Sequence, residues 1–597
     1  MNAEGPFASL PMTILHAPRH GGYLKFRRPV GVLAAWQPGE IPDLLREVEA
    51  QVNDAGRFAA GFLSYEAAPA FDPAMRVRPD PNPFMPLAWF GLYQNAEAYT
   101  LPPEHVGLPD SSWQSEVSSA KYRQNLHQIK AYIARGDTYQ VNYTYRLRSA
   151  WAGPVQPAFN ALAAAHRTPY AAFLEDRDWA ICSLSPELFF ALDGDLITSR
   201  PMKGTAPRGR WTDEDYQLAA WLRHSEKNQA ENVMIVDMVR NDLGRIARTG
   251  SVCVPELFTI EKYLTLWQMT SSVQARSQAG FFELFQALFP CASITGAPKI
   301  RTMEIIAGLE TSPRRVYTGA IGFFAPGRQA QFNVAIRTLL VDRRAAQAEY
   351  AVGGGIVWDS QAEDEWAETK TKAKVLSELP QPFELLETMR WAPPEGWFLL
   401  DEHLGRLASS AEYFDYPLDI EAVRARLDRL AAGFQEQPQR VRLLLDRNGM
   451  VRLEAAPLGA GPAARTVGLA ARSVPAAERF LYHKTTRREI YARARAEAPE
   501  YDEVLLWNER GELTEATIAN VILEQGGQWY TPPVECGLLP GTFRARLLAD
   551  GRVQEQVIPV ATLADYERIY LANSVWGLWE VALAKPGSAV QPPPGQV

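Results

Sequence analysis

The chain has 597 residues, too many for one ordinary domain, and its 47% hydrophobic and 22% charged residues are those of a globular protein. Lys and Arg total 61 against 69 Asp and Glu, a formal charge of -8, with no long basic block, which argues against a nucleic-acid binder. Cys182, Cys253, Cys291 and Cys536 are scattered without a CxxC spacing, no segment has the uncharged apolar run of a membrane span, and the start lacks a basic-then-apolar leader. The expectation is a cytoplasmic protein with neither nucleic-acid nor membrane partners.

Up to about residue 115 the pattern is strand and loop. Gly56 to Phe71 reads as a strand running into a turn and Pro86 to Leu101 as paired strands, with a Pro-rich loop between. From Val117 an amphipathic helix carries Leu126, Ile129 and Ile133 at helical spacing and ends at Gly136. Thr138 to Ala150 alternates Tyr139, Val141, Tyr143 and Tyr145, a strand pattern. A helical segment over Ala158 to His166 precedes alternating strands. The last of these, DLITSR, runs into a loop, PMKGTAPRGR, that holds Lys203. Asp213 to Ile246 reads as one helical stretch with Val233, Val236 and Val239 at a spacing of three and Gly244 as its terminator. Pro298 sits near a helix start. Strands return at VYTGAIGFFAP, QFNVAIRTLLVD and AEYAVGGGIVWDS, and a helix closes the region at Leu379.

After a Gln381-Pro382 hinge the pattern restarts. FELLETMRW and GWFLLDEH read as strands, LGRLASSAEYFDY and IEAVRARLDRLAAGF as helices. QRVRLLLDRNGMVRLEAAPL is a hairpin turning at Asn448-Gly449. A connector at Gly459 to Thr466, a basic segment at His483 to Glu497 and a strand-rich stretch from Asp502 to Pro533 follow, then a terminal element and a Pro/Gly tail. No internal repeat joins the halves; they read as two different folds.

Lys203 carries two readings. It is a solvated surface lysine, the ordinary fate of a loop lysine, or a pocket lysine whose lost hydration lowers its pKa and frees its amine as a nucleophile. By spacing, Glu365, Glu368 and Lys372 share one helix face, which suits a surface ion ladder as well as a site. Gly353, Gly354 and Gly355, just before that helix, let backbone approach a ligand closely. Carboxylates without imidazole suit a hard cation such as Mg2+, with Glu231 on the other long helix either a further donor or solvent-facing.

GDTYQVNYTYRL, SLSPELFF, PMKGTAPRG, AENVMIVDMVRNDLG, SITGAPKIRTMEII, YTGAIGFF, FNVAIRTL and GGGIVWDSQAEDEWAETKTKAKVL cover most of residues 55–378. Together they resemble the chorismate-utilising enzymes, the family of anthranilate synthase component I and aminodeoxychorismate synthase component I. For residues 1–379 the resemblance implies an α+β fold of packed antiparallel sheets with outer helices. It implies Mg2+ on Glu231 and Glu368, with Glu365 nearby, and chorismate as substrate. Arg337, Lys372 and the backbone of Gly353 to Gly355 would meet the substrate carboxylates, Tyr317 and Thr295 would line the pocket, and Glu187 would protonate the departing C4 hydroxyl. PMKGT is similar to the PIKGT of the aminodeoxychorismate branch and differs from the PIAGT of anthranilate synthases; Asn232 fits the same branch. The implied role of Lys203 is addition to C2 as the C4 hydroxyl leaves, followed by ammonia attack at C4. Ammonia in turn implies a separate glutamine amidotransferase subunit, since no cysteine lies in a nucleophile-elbow context.

LLETMRW, DEHLGRLASSAEYF, YHKTTRREIYARA, GLLPGTFRARLL and YLANSVWGLWEV resemble the fold-type IV pyridoxal phosphate enzymes. A linker at 380–383 would lead into a two-lobed domain at 384–590, with a small lobe at 384–458, a connector at 459–466, a large lobe at 467–590 and a tail at 591–597. Local sequence alone leaves Lys484 an exposed lysine. The resemblance implies that Lys484 carries pyridoxal phosphate and shuttles a proton and that Glu515 holds the pyridine nitrogen. Arg406, Thr542 and Ser574 would bind the phosphate, with Asn520 in support. Thr486-Arg487-Arg488 departs from the Asn-Arg pair that many lyases carry. Together the halves imply two reactions: chorismate to 4-amino-4-deoxychorismate, then loss of pyruvate to leave 4-aminobenzoate. The alternatives are fusion to a branched-chain or D-amino acid aminotransferase, anthranilate synthesis by the first half, and a non-catalytic second half that docks the glutaminase. A homodimer through the pyridoxal phosphate domain is a candidate assembly.

Overall fold

A computed structural model describes residues 11–102, 112–376, 381–434, 436–459, 461–462 and 465–584. They form two compact units, Met1–Ala206 with Trp221–Pro380, and Pro207–Ala220 with Gln381–Val597. The second unit therefore takes in a short excursion that the sequence places inside the first. The tail at 591–597, the residues 377–379 that end the expected closing helix, and the linker residue 380 lie outside the described residues. Among the described residues no helix is long and apolar enough to cross a membrane.

The first unit has the α+β architecture expected of it, two ten-stranded sheets with helices outside. Leu15, Ala172 and Ile181 of one sheet pack against Phe62, Trp89, Ile321 and Phe323 of the other, a core made by the inward faces of both. Helices Ile41–Asn53 and Glu226–Gly244 cover one outer face, and Ser119–Ala134 and Gln156–His166 the other. Strand Gln140–Ala150 pairs antiparallel with Gln347–Ile356, which sets Gly353, Gly354 and Gly355 opposite Thr144, Tyr143 and Asn142.

Three elements differ from the sequence reading. Lys203 lies not in a loop but on strand Met202–Pro207, the terminal strand of its sheet beside Leu266–Arg276. The stretch from Asp213 to Ile246 is two helices, Thr212–His224 and Glu226–Gly244. The second restarts at Ser225, whose hydroxyl caps it by accepting from Asn228 N, and Val233 faces out while Val236 and Val239 are buried. GWFLLDEH splits into strand Gly396–Phe398 and the start of helix Leu400–Phe414.

The second unit has two lobes. Helices Leu400–Phe414 and Ile420–Ala431 back a four-stranded sheet in the order Gly396–Phe398, Leu385–Ala392, Gln439–Leu445, Val451–Pro457. An eight-stranded sheet mixing parallel and antiparallel pairs forms the other lobe. Within this unit Arg208 of the excursion pairs with Asp215 at 2.7 Å and donates to Tyr413 O at 2.9 Å.

Candidate active sites

In the first unit the backbone around Lys203 is held from the next strand and from a helix. Gln268 Nε2 donates to Gly204 O at 2.9 Å, Ser271 N to Pro201 O at 3.2 Å and Asn232 Nδ2 to Lys203 O at 3.4 Å. Asn232 is buried and accepts from Ser271 Oγ at 2.6 Å, so the helix and the strand lock each other. The lysine side chain runs to Gly355, where an added Cβ would sit 2.8 Å from Lys203 Nζ and 3.1 Å from Gln140 Nε2. A larger residue there would force the lysine amine to shift. Burial pulls the Lys203 pKa down, Glu231 and Glu187 pull it back, and Lys372 pushes it down further. The net shift is downward, and the surface reading gives way to a half-buried lysine facing acidic groups.

Glu187 is 3% exposed. Burial pushes its carboxyl up to about 7, against a hydrogen bond from Ser293 Oγ at 2.6 Å and the charge of Lys203. A carboxyl so raised is partly protonated near neutral pH, and the protonated form is the one a general acid requires.

Burial also raises the pKa of Glu365, with a bond from Ser360 Oγ at 2.7 Å opposing and the charges of Glu368 and Glu231 adding to the rise. Lys372 Nζ bonds Glu368 Oε1 at 2.7 Å and Gly353 O at 2.8 Å. These mutual fields put Glu231, Glu365, Glu368, Lys372 and Lys203 around one region. Among the described residues no three His, Cys, Asp or Glu side chains are arranged to hold a metal ion. The oxygen donors suit Mg2+ in kind, and seating it would exchange Lys372 for the cation on Glu368.

The other expected residues are placed differently. The Thr295 hydroxyl is fully buried and bonds Cys291 O and Ala292 O, both at 3.2 Å. Burial pushes Tyr317 up to about 12, and the Arg146 guanidinium lies 5.4 Å from its ring centroid. Arg337 has no carboxylate partner among the described residues, and its charge opposes the burial that raises Tyr350. Sequence reasoning passed over Gln140. The alternation grouped Tyr139 with Val141, Tyr143 and Tyr145, yet Tyr139 is 71% exposed while those three are buried, and Gln140 is fully buried, with neither amide atom bonded. An amide buried without partners is costly unless a ligand meets it.

In the second unit Lys484, Glu515, Arg406, Asn520, Thr542 and Ser574 all line one cavity of about 360 Å³. Burial, the Arg406 charge and Arg488 lower Lys484 to about 8 against Glu387 and Glu515. Its neighbour His483 is fixed by Ser410 Oγ at 3.0 Å and by the Tyr413 ring, with centroids 4.3 Å apart. Burial raises Glu515 to about 7, opposed by donors Tyr491 OH at 2.8 Å and Leu539 N at 3.2 Å.

Arg406 Nε and Nη2 meet Glu387 Oε1 and Oε2 at 2.9 and 2.7 Å, a two-pronged pair that sequence reasoning missed. His403 Nδ1 also donates to Glu387 Oε2 at 2.6 Å, which leaves His403 Nε2 to accept from Thr542 Oγ at 3.4 Å. Burial alone would raise Glu387, but Arg406 and His403 outweigh it and hold the carboxyl at about 2. One carboxylate thus orients two of the residues expected at the phosphate. Asn520 Nδ2 donates to Leu539 O at 2.9 Å, and a Cβ on Gly541 would strike Asn520 Oδ1 at 1.9 Å. That glycine leaves backbone open at the start of helix Thr542–Ala549. A lysine of lowered pKa, a buried carboxyl, and an arginine beside a helix start fit pyridoxal phosphate.

The family described as chorismate binding enzyme matches residues 14–378, and the family described as amino-transferase class IV matches residues 384–584. Aminodeoxychorismate synthase component 1 of Salmonella typhimurium is 42% identical over 264 residues, which are 44% of this chain and 58% of that protein. The chain thus spans less than two thirds of that relative. The same-named protein of Klebsiella aerogenes is 39% identical over 345 residues, 57% of this chain and 71% of its own. The crystal structure of anthranilate synthase component I from Streptococcus pneumoniae shares the fold, with a TM-score of 0.53 and 24% identity over 62% of this chain and 92% of that one.

Proposed function

Because the chain belongs to the chorismate binding enzyme family and carries a class IV aminotransferase-fold unit, we propose that it aminates chorismate in its first unit and acts on an amine with pyridoxal phosphate in its second. The observation that carries the first half is the lysine of lowered pKa set against Gly355. Neutral Lys203 adds to C2 of chorismate while protonated Glu187 gives its proton to the C4 oxygen, which leaves as water. Ammonia then bonds to C4, the two ring double bonds shift back, the C2 bond to Lys203 breaks with its electron pair staying on the amine, the surplus proton of the new C4 ammonium restores Glu187, and 4-amino-4-deoxychorismate is released. Glu231 and Glu368, with Glu365 nearby, would hold Mg2+, which when bound supplies positive charge for a substrate carboxylate. Arg337 and Lys372 would meet substrate carboxylates. Ammonia would come from a glutamine amidotransferase partner.

In the second unit pyridoxal phosphate, when bound, supplies an electron sink. Glu515 would hold its ring nitrogen, Arg406 and the start of helix Thr542–Ala549 its phosphate, and Lys484 would move the proton. The family match favours amino transfer between amino and keto acids. Elimination of pyruvate to give 4-aminobenzoate is a second reading, favoured by the presence on one chain of a unit proposed to make that substrate.

The test is the intact protein with chorismate, ammonium, Mg2+ and pyridoxal phosphate. Release of 4-aminobenzoate and pyruvate together supports elimination; accumulating aminodeoxychorismate with amino transfer between added acids supports the aminotransferase. Lys203→Ala should abolish aminodeoxychorismate formation and leave cofactor uptake at Lys484 intact. Anthranilate as the wild-type product would sink the role given to Lys203.

A further inference from the structure

The second unit's cavity holds more positive charge than its cofactor explains. Arg406, Arg440, Arg442, Lys484 and Arg488 line it, and Glu515 is the one carboxylate among its described lining residues. If pyridoxal phosphate binds as proposed, on which this inference rests, three of these charges are accounted for. The phosphate meets Arg406, the protonated ring nitrogen meets Glu515, and Lys484 is joined to the cofactor. Arg440, Arg442 and Arg488 remain.

The three remaining arginines are separately placed. Arg440 and Arg442 alternate along strand Gln439–Leu445, so they share one face, opposite Arg390 and Thr388 of the neighbouring strand. Arg440 has no carboxylate partner among the described residues. Arg442 reaches Glu454 at 3.4 Å, but both side chains are more than two-fifths exposed, and such a pair is weak and readily exchanged. Arg488 is held elsewhere: its guanidinium donates to Thr517 O, lies 4.4 Å from the Tyr491 ring centroid, and acts on both Lys484 and Glu515. Neither Arg440 nor Arg442 is among the main influences on Lys484. The cavity thus offers one cation near the reacting lysine and a pair on the strand.

We propose that the second unit takes an amine bearing two carboxylates, one met by Arg488 and the other by Arg440 and Arg442. A planar guanidinium matches a carboxylate with two parallel donors, whereas an apolar side chain gains nothing from it. Two amines have this chemistry: the first unit's proposed product, with a ring and an enolpyruvyl carboxylate, and a dicarboxylic amino acid such as glutamate.

The test uses the full chain loaded with pyridoxal phosphate, titrated with isophthalate and with benzoate. Heat of binding and the cofactor's visible absorbance are read together. Isophthalate should bind more tightly than benzoate, and Arg440→Ala/Arg442→Ala should cut that preference by about 10- to 100-fold, the loss of hydrogen bonds to a charged group. Cofactor uptake should stay unchanged, and Arg440→Lys/Arg442→Lys should restore part of the preference. KM for the true substrate should rise in the alanine variant. The arms separate the sources: pyruvate released from aminodeoxychorismate marks the first, 2-oxoglutarate formed from glutamate the second. Equal binding of isophthalate and benzoate, or an unchanged preference in the alanine variant, overturns the proposal while leaving the cofactor reading intact. Failure of the wild type to take up pyridoxal phosphate overturns both.

Discussion

Ser293→Ala tests the acid role of Glu187 without touching the carboxyl. Ser293 Oγ donates to Glu187 Oε1 at 2.6 Å, and the two residues are 5% and 3% exposed. The bond favours the ionised carboxylate and opposes the burial that raises it to about 7. A hydrogen bond to a charged group contributes about 1.5–3 kcal/mol, and about 1.4 kcal/mol is one pKa unit, so its loss should raise Glu187 by about one to two units. A higher pKa keeps the acid form present to higher pH. The alkaline limb of kcat/KM for aminodeoxychorismate formation should therefore move up by about one to two units, because that limb reports the free enzyme. Free ammonia must be held constant by adjusting total ammonium at each pH. Lys203 and Glu187 interact, so the limb belongs to the pair, and the shift rather than its absolute position is the readout. Ser293→Thr, which keeps the hydroxyl, should leave the limb in place. A limb that stays put in Ser293→Ala, or moves to lower pH, refutes the reasoning.

Gly355→Ala puts a methyl 2.8 Å from Lys203 Nζ and displaces the amine. First-unit turnover should fall by about 100-fold, measured with ammonium, while second-unit cofactor binding stays unchanged. Glu387→Gln removes a carboxyl that Arg406 and His403 hold down to about 2, well below its ordinary range, and should lower second-unit stability. The folded-state pKa is depressed, so this stability is present above pH 4.5 and lost as pH falls toward 2. Urea unfolding should show the variant weaker at neutral pH, without this group's share of the acid dependence. Pyridoxal phosphate affinity should fall with it, because Arg406 and His403 lose their anchor. Wild-type stability at neutral pH would show that the pair contributes nothing net.

Much of the fold was legible because alternation and helical spacing report burial on one face. Ser118 caps helix Ser119–Ala134, and Gly136 with φ 77 follows it, where sequence signals put the start and end. The reading failed where both faces of an element are covered. Strand Gln140–Ala150 is buried on both sides for most of its length, so alternation carries no phase there, and nothing in the pattern singled out Gln140. Lys203 was taken for a loop residue because its glycine and prolines are turn residues; pairing with strand Leu266–Arg276 overrides that local preference. Ser293, Glu387 and His403 left no trace in the pattern. Their importance comes from partners 106, 16 and 139 positions away along the chain, at Glu187, His403 and Thr542.

The proposed chemistry asks each unit for a lysine that is neutral when it reacts, and both lysines are shifted that way by one device with different surroundings. In each, burial is the largest influence, neighbouring positive charge adds to it, and nearby carboxylates resist it, Glu231, Glu187 and Glu368 at Lys203 and Glu387 and Glu515 at Lys484. The cation is Lys372 for Lys203, and for Lys484 it is Arg406 first and Arg488 second. The difference lies in what those cations do when ligands arrive. Lys372 is paired with Glu368, so a cation seated on that carboxylate would release it and leave it free for a substrate carboxylate. Arg406 is locked to Glu387 by two bonds and to Pro540 O at 3.2 Å, so its charge stays beside Lys484 whatever enters. If Mg2+ binds as proposed, the first site couples its lysine to metal and substrate, and its pH dependence should shift with Mg2+ concentration. The second holds its lysine poised in advance, and a pH profile of cofactor capture by Lys484 insensitive to Mg2+ is the contrasting expectation.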